Sequence, residues 1–138
     1  MPHFGRRSME RLLTCDIRLQ EVWIQVVRHF DCTVLCGFRS EHDQTRAFRA
    51  GASRLSWPKS KHNRYPAWAV DVAPWFTTDP HVRWDDTETF RRLGLFARGV
   101  AAGMNIPLRW GGDWDGDFFL NDQTFNDLAH YELIGDTK

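Results

Sequence analysis

Apolar positions along the chain follow two periods. Leu19, Val22, Trp23, Val26, Val27 and Phe30 recur at spacings of three and four, as on one helix face, and Asp16 stands where an N-cap belongs. The same period returns in Phe90, Leu93, Ala97, Val100 and Met104, behind a second capping residue, Asp86. Ser8, ahead of the run MERLL, predicts a short helix capped by its hydroxyl. Ser40 and Asp43 stand in a capping-box arrangement at the head of a further helix that closes on Gly51. Between these stripes lie short runs rich in strand formers: CTVLCG, AWAVDVA, IPLRW and AHYELI. The second is stopped by Pro74, and residues 52–66 and 76–85 carry turn formers and few aliphatics, so they read as loops. The strands are few and do not alternate regularly with the helices. That order predicts an α+β fold, a small antiparallel sheet with helices packed against it.

One residue breaks the pattern. Asp71 lies between Val70 and Val72 in a strand expected to be buried. A carboxylate there is costly unless it is paired or neutralised by a cation.

The chain has 138 residues, 42% of them hydrophobic. That predicts one domain over 1–138, with no separate wall-binding module, burying about two-thirds of its unfolded surface. Eighteen basic residues balance eighteen acidic ones, so no broad electrostatic grip on nucleic acid or an anionic membrane is expected. No apolar run approaches the ~20 residues of a membrane span. The first residues lack the apolar core of a signal peptide, which predicts a cytoplasmic protein released by some other agent. Three cysteines, Cys15, Cys32 and Cys36, make an odd count without a disulfide framework. Cys32 and Cys36 are four apart on a strand, so both are expected on one side as small buried apolar residues.

Candidate chemistry gathers in three segments: SKHNRYPAWAVD, GGDWD and DLAHYEL. They supply His62, Asp71 and His130. Two imidazoles and one carboxylate form a three-ligand zinc set that leaves a position open for water. Asp127, close to a ligand, suits a general base. Arg39, at the end of a strand, is placed to oppose a developing oxyanion. His3, His29, His42 and His81 read as surface or packing residues. In DWDGD, Asp113, Asp115 and Asp117 alternate, with Asn121 and Asp122 nearby, and offer the oxygen donors that Ca2+ takes. The EF-hand order is not met: Gly116 comes too early and Thr124 stands where a bidentate Glu belongs. A solvated acidic turn is the simpler reading, with Asp113 also a candidate lining residue of the substrate cleft. Trp57, Trp68, Trp75, Trp110 and Trp114 lie near these segments, as a platform for a glycan-linked peptide or as packing anchors.

Five motifs in order, FGRRSMERL, GFRSEHDQ, SKH followed by AVD, RWGGDWDGD and DLAHYEL, resemble the phage endolysins that act as L-alanyl-D-glutamate peptidases. These are similar to the wider D-alanyl-D-alanine carboxypeptidase group of zinc peptidases (VanY-like, with the hedgehog/DD-peptidase fold). The resemblance implies one Zn2+ per chain on His62, Asp71 and His130, with Asp127 as base and Arg39 stabilising the tetrahedral intermediate. It also implies Ser60, Gln44 and Glu132 as contacts to the substrate or to the ligands. The implied substrate is bacterial peptidoglycan, cut at the L-Ala–D-Glu bond by a monomer. The enzyme would be stored in the host cytoplasm and reach the wall after the membrane is permeabilised. Alternatives of the same fold are a D-Ala-D-Ala carboxypeptidase or dipeptidase and a non-catalytic zinc-binding module; a zinc-free tail component is a further one. One departure stands out. Eight residues separate His62 from Asp71, a longer connection than the pattern has, and Ala67 replaces its Gly. The insert NRYPAW is expected to shape the rim of the cleft.

Overall fold

The computed structural model describes residues 1–117 and 127–135. Helices α1 (Arg6–Leu12) and α2 (Ile17–Val27) lead into strand β1 (Cys32–Cys36), followed by α3 (Glu41–Arg49) and a single 3-10 turn at Lys61–Asn63. Strand β2 (Ala69–Pro74), α4 (Thr87–Gly103), β3 (Leu108–Gly111) and β4 (Asp127–Leu133) follow among the described residues. The strands form one sheet in the order β1-β2-β4-β3, antiparallel at each junction. This is the α+β architecture that the apolar pattern predicts.

Three of the four expected caps are formed. Asp16 accepts from the Arg18 amide at 2.9 Å, Ser40 from Asp43 at 3.2 Å and Asp86 from Thr89 at 3.2 Å. Ser8 is different. Helix α1 begins ahead of it, with Gly5 at the cap position. The Ser8 hydroxyl instead accepts from the Val34 amide at 3.0 Å and lies 3.0 Å from the Thr33 hydroxyl, fastening α1 to β1. On α4, Met104 ends the stripe exposed, while Gly94 and Ala101 take buried positions.

One face of the sheet packs on α2 and α4. Val34, Val70, Val72, Tyr131 and Leu133 meet Leu19, Val22, Trp23 and Val26 of α2 and Leu93 and Ala97 of α4. Trp23 and Tyr131 touch edge to face, 4.6 Å between centroids. Side chains alternate along a strand. With Val70 and Val72 in the core, Asp71 faces the other way; with Tyr131 and Leu133 in the core, so do His130 and Glu132.

The pairing of β1 with β2 carries a bulge. Val34 pairs with Val72, but Cys36 pairs with Asp71. One extra residue reverses the facing beyond it. Cys32 therefore stays in the core, while Cys36 joins the face of Asp71, against the expectation that both thiols share one side. Asp71 pairs in turn with His130. Cys36, Asp71 and His130 thus form a row across three strands.

Helix α4 approaches the sheet through Gly94, where an added Cβ would lie 2.2 Å from the Trp110 indole. Gly99, on the same helix, has open space around it. Gly94→Ala should cost about 1–3 kcal/mol by overpacking, whereas Gly99→Ala should be neutral or stabilising by up to ~1 kcal/mol. Urea denaturation midpoints check this; equal shifts for the two would refute it.

Candidate active site

Asp71 is the centre of the polar face. His62 reaches it from the 3-10 turn, whose cap is a reciprocal pair: Ser60 Oγ accepts from the His62 amide at 3.2 Å, and Asn63 Oδ1 accepts from the Ser60 amide at 3.1 Å. His62 Nδ1 lies 2.8 Å from the Gly37 carbonyl. A carbonyl only accepts, so Nδ1 keeps its proton and Nε2 is left to face Asp71. On β4, His130 Nε2 lies 2.8 Å from Glu132 Oε1, which leaves Nδ1 to face Asp71. Both free nitrogens, His62 Nε2 and His130 Nδ1, stand 3.3 Å from the same oxygen, Asp71 Oδ1.

His62 Nε2 and Asp71 Oδ1 are buried and neither has a hydrogen-bond partner. Orphaned polar atoms of this kind are costly unless a cation joins them. A tetrahedral ion with bonds of about 2.0–2.1 Å spaces its donor atoms about 3.3 Å apart. The spacing of Asp71 Oδ1 from each imidazole nitrogen is compatible with a bound cation, and donor atoms of Cys36, His62 and Asp71 also lie within 4.8 Å of one another.

The electrostatics agree with a site built for positive charge. Burial works against charging His62, yet the adjacent Asp71 carboxylate lifts its pKa to about 10. Burial likewise opposes the charged forms of His130 and Asp71; Asp71 and Glu132 nevertheless raise His130, and His62 with His130 lowers Asp71. Glu132 is held well below the usual carboxylate range against burial, by His130, Arg109 and Lys61. Its Oε2 lies 2.7 Å from Arg109 Nη2 and 3.0 Å from Lys61 Nζ. Glu132 thereby orients one imidazole and is itself clamped by two cations. Asp127, the first residue of β4, is pushed up by burial and then by the charge of Asp71.

Arg39 leans over Asp71, with Nη2 3.4 Å from Oδ2, and donates through Nη1 to Gln44 Oε1 at 2.9 Å. Gln44 is fully buried. It also donates to Ser53 Oγ at 3.0 Å and to the Leu55 carbonyl at 2.6 Å, and accepts from the Asn63 amide group at 3.2 Å. Gln44 is thus a brace for Arg39 and the following loop. A cleft of about 550 Å³ opens above these groups, lined by Arg39, Ser60, His62, Asp71, Asp127, His130 and Glu132.

Other expected residues lie elsewhere. Asp113 does not line the cleft: it is wholly buried, 2.5 Å from Arg98 Nη1. Asp113, Asp115 and Asp117 can bring oxygens within 4.8 Å of one another, but Arg98 already opposes the buried charge. Asn121, Asp122 and Thr124 lie outside the described residues. Among the tryptophans, Trp110 is core, Trp68 lies under the guanidinium of Arg64 at 4.6 Å, and Trp75 stacks on His81 at 4.5 Å. Trp57 is half-buried and does not line the cleft. Trp114 does, 5.7 Å from the His130 ring. The NRYPAW insert docks away from the rim. Ala67 exchanges backbone hydrogen bonds with Thr14 and Asp16, and Tyr65 packs on Phe38.

Sequence reasoning missed four contributors. Trp84, 62% exposed, lines the cleft. Cys36 reaches the polar face only through the bulge. Lys61 and Arg109 find Glu132 through the fold; Arg109 is its register partner, and register is not written in local spacing.

The model of the family described as phage L-alanyl-D-glutamate peptidase matches residues 1–134. No curated protein sequence gives a significant match. Among solved structures, the crystal structure of the Serratia marcescens L-Ala D-Glu endopeptidase ChiX is similar at a TM-score of 0.76 and 27% identity. The match covers 96% of this chain and 90% of that one.

The brace at Gln44 gives a test. Gln44→Ala removes a fully buried side chain that makes four hydrogen bonds, leaving one Arg39 donor without its partner, and should cost about 1–3 kcal/mol. It should also speed proteolysis of the loop at residues 53–55. Thermal unfolding with limited proteolysis reads both; unchanged stability would show that Gln44 braces nothing.

Proposed function

The chain belongs to the phage L-alanyl-D-glutamate peptidase family, and from that premise we propose that it is a zinc-dependent endopeptidase of peptidoglycan stem peptides, cutting between L-Ala and D-Glu. The observation that carries the metal part is the convergence of His62 Nε2 and His130 Nδ1 on Asp71 Oδ1, at 3.3 Å each. The bond is argued from the family and from the similar Serratia enzyme, whose name states it.

His62, Asp71 and His130 hold the ion in this reading. Zinc, when bound, supplies Lewis-acid polarisation of the scissile carbonyl and makes water acidic near neutral pH. The chain's own groups do the rest. Asp127 takes the proton from the attacking water and passes it to the leaving amine. Its raised pKa suits the first transfer, because a more basic carboxylate accepts the water proton more readily. Arg39, fixed by Gln44, opposes the negative charge that grows on the carbonyl oxygen. Ser60 holds the turn that aims His62, and Glu132 keeps the His130 proton on the far nitrogen. Trp84 and Trp114 offer apolar faces to the substrate's sugar-linked end. The reading covers residues 1–138 as one catalytic unit acting as a monomer, held in the host cell until the membrane is breached. No described helix is long and apolar enough to cross a membrane.

Purified protein should contain about one zinc per chain, lost on His62→Ala or His130→Ala. Digested wall should show new free amines on D-Glu. Released D-Ala would favour a carboxypeptidase instead, and a metal-free protein that still cuts would end the zinc reading.

Asp127 sets the acid limb of the pH profile. Activity should fall as pH drops through a pKa above the ordinary carboxylate value, because the protonated acid cannot accept from water. Asp127→Asn should lower kcat by about 10²–10⁴-fold while zinc content stays at one per chain. Full activity in that variant would remove Asp127 from the mechanism.

A further inference from the structure

The β1 bulge leaves a fourth donor at the centre that the reaction above does not use. Cys36 is the register partner of Asp71. Donor atoms of Cys36, His62 and Asp71 lie within 4.8 Å of one another. His62 is 2% exposed and its Nε2 has no hydrogen-bond partner, so a buried lone donor already faces this space. Cys36 does not line the cleft, whereas His130 does. The thiol therefore meets His62 and Asp71 from the β1 side of the row, and His130 meets Asp71 from the β4 side.

Thiolate, imidazole and carboxylate together prefer thiophilic ions such as cadmium and zinc, and have little use for magnesium or calcium. We propose that Cys36, His62 and Asp71 form a second ion position for a thiophilic divalent cation, overlapping the catalytic set. The two positions share two donors, so they cannot both be filled in full. An ion on the Cys36 side withdraws His62 and Asp71 from the cleft side and stops catalysis. On binding, a sulfur–metal bond forms and the thiol proton leaves to solvent. Excess thiophilic metal thus acts as an inhibitor through a residue that takes no part in the reaction.

Cadmium is the probe, added to the zinc-loaded full chain. Wild type should develop the ultraviolet absorption of a cadmium–thiolate bond, rising to one equivalent as cleavage is lost. Cys36→Ala should lack that absorption, keep about one zinc, and need at least about tenfold more cadmium for half-inhibition. Cys36→Ser, closer in shape, should behave the same and covers the case in which the alanine variant folds poorly. Cys15 and Cys32 are untouched in both, so absorption that persists would come from them and overturn the proposal. Absence of the band in wild type, or equal cadmium sensitivity in all three proteins, would overturn it too. The inhibition readout rests on the zinc endopeptidase reading, and the absorption does not. If wild type cuts with zinc but shows no cadmium–thiolate band, only this inference fails. If the band appears in a protein that never cuts, the functional reading fails instead.

Discussion

A single carboxylate oxygen organises this protein. Asp71 Oδ1 is buried, lacks a hydrogen bond, and stands 3.3 Å from a nitrogen of each of two imidazoles. A charge in that position must be answered, and much of the polar face is arranged around the answer. Gly37 and Glu132 each take one nitrogen of an imidazole, so that the other points inward. Gln44 holds Arg39 beside the second oxygen. His130, Arg109 and Lys61 keep Glu132 ionised. The polar shell reaches from the 3-10 turn to β3, and its members would have little reason for their positions without the charge at the centre.

The sheet makes this affordable by its period of two. Each of β2 and β4 puts one set of side chains into the α2–α4 core and the other into the cleft. Val70 and Val72 flank Asp71 in sequence but lie on the opposite face. Apolar packing and polar chemistry therefore share a four-strand sheet without mixing. Alternation is broken at the β1 bulge, which turns Cys36 from a core residue into a neighbour of Asp71.

Some of this was legible in the chain. Asp71 stands out by breaking an apolar run, and the helical stripes of α2 and α4 name most of the core residues those helices supply, Met104 being exposed. His62, His130, Arg39 and Asp127 were marked by residue type and motif order, and all four line the cleft. Other inferences failed for physical reasons. Ser8 has the chemistry of a cap, but its hydroxyl found a β1 amide across 26 positions of sequence. Asp113 has the chemistry of a cleft carboxylate, but Arg98 draws it inward. The NRYPAW insert was expected at the rim, yet backbone hydrogen bonds to the α1–α2 connection carry it away.

Sequence by itself determined the element types and the α+β class, which follow from local periodicity and capping chemistry and need no partner to be read; His62, Asp71 and His130 were marked by the order of motifs that resemble a known family. Tertiary structure alone decided which nitrogen of each imidazole faces Asp71, that Gln44 is a brace, that Glu132 is clamped by Lys61 and Arg109, and that Cys36 stands beside Asp71 while Cys32 does not. Each of those depends on strand register or on contacts between distant segments. A shift of one residue in pairing reverses which face a side chain takes, and nothing in the local spacing of β1 reveals where the bulge falls.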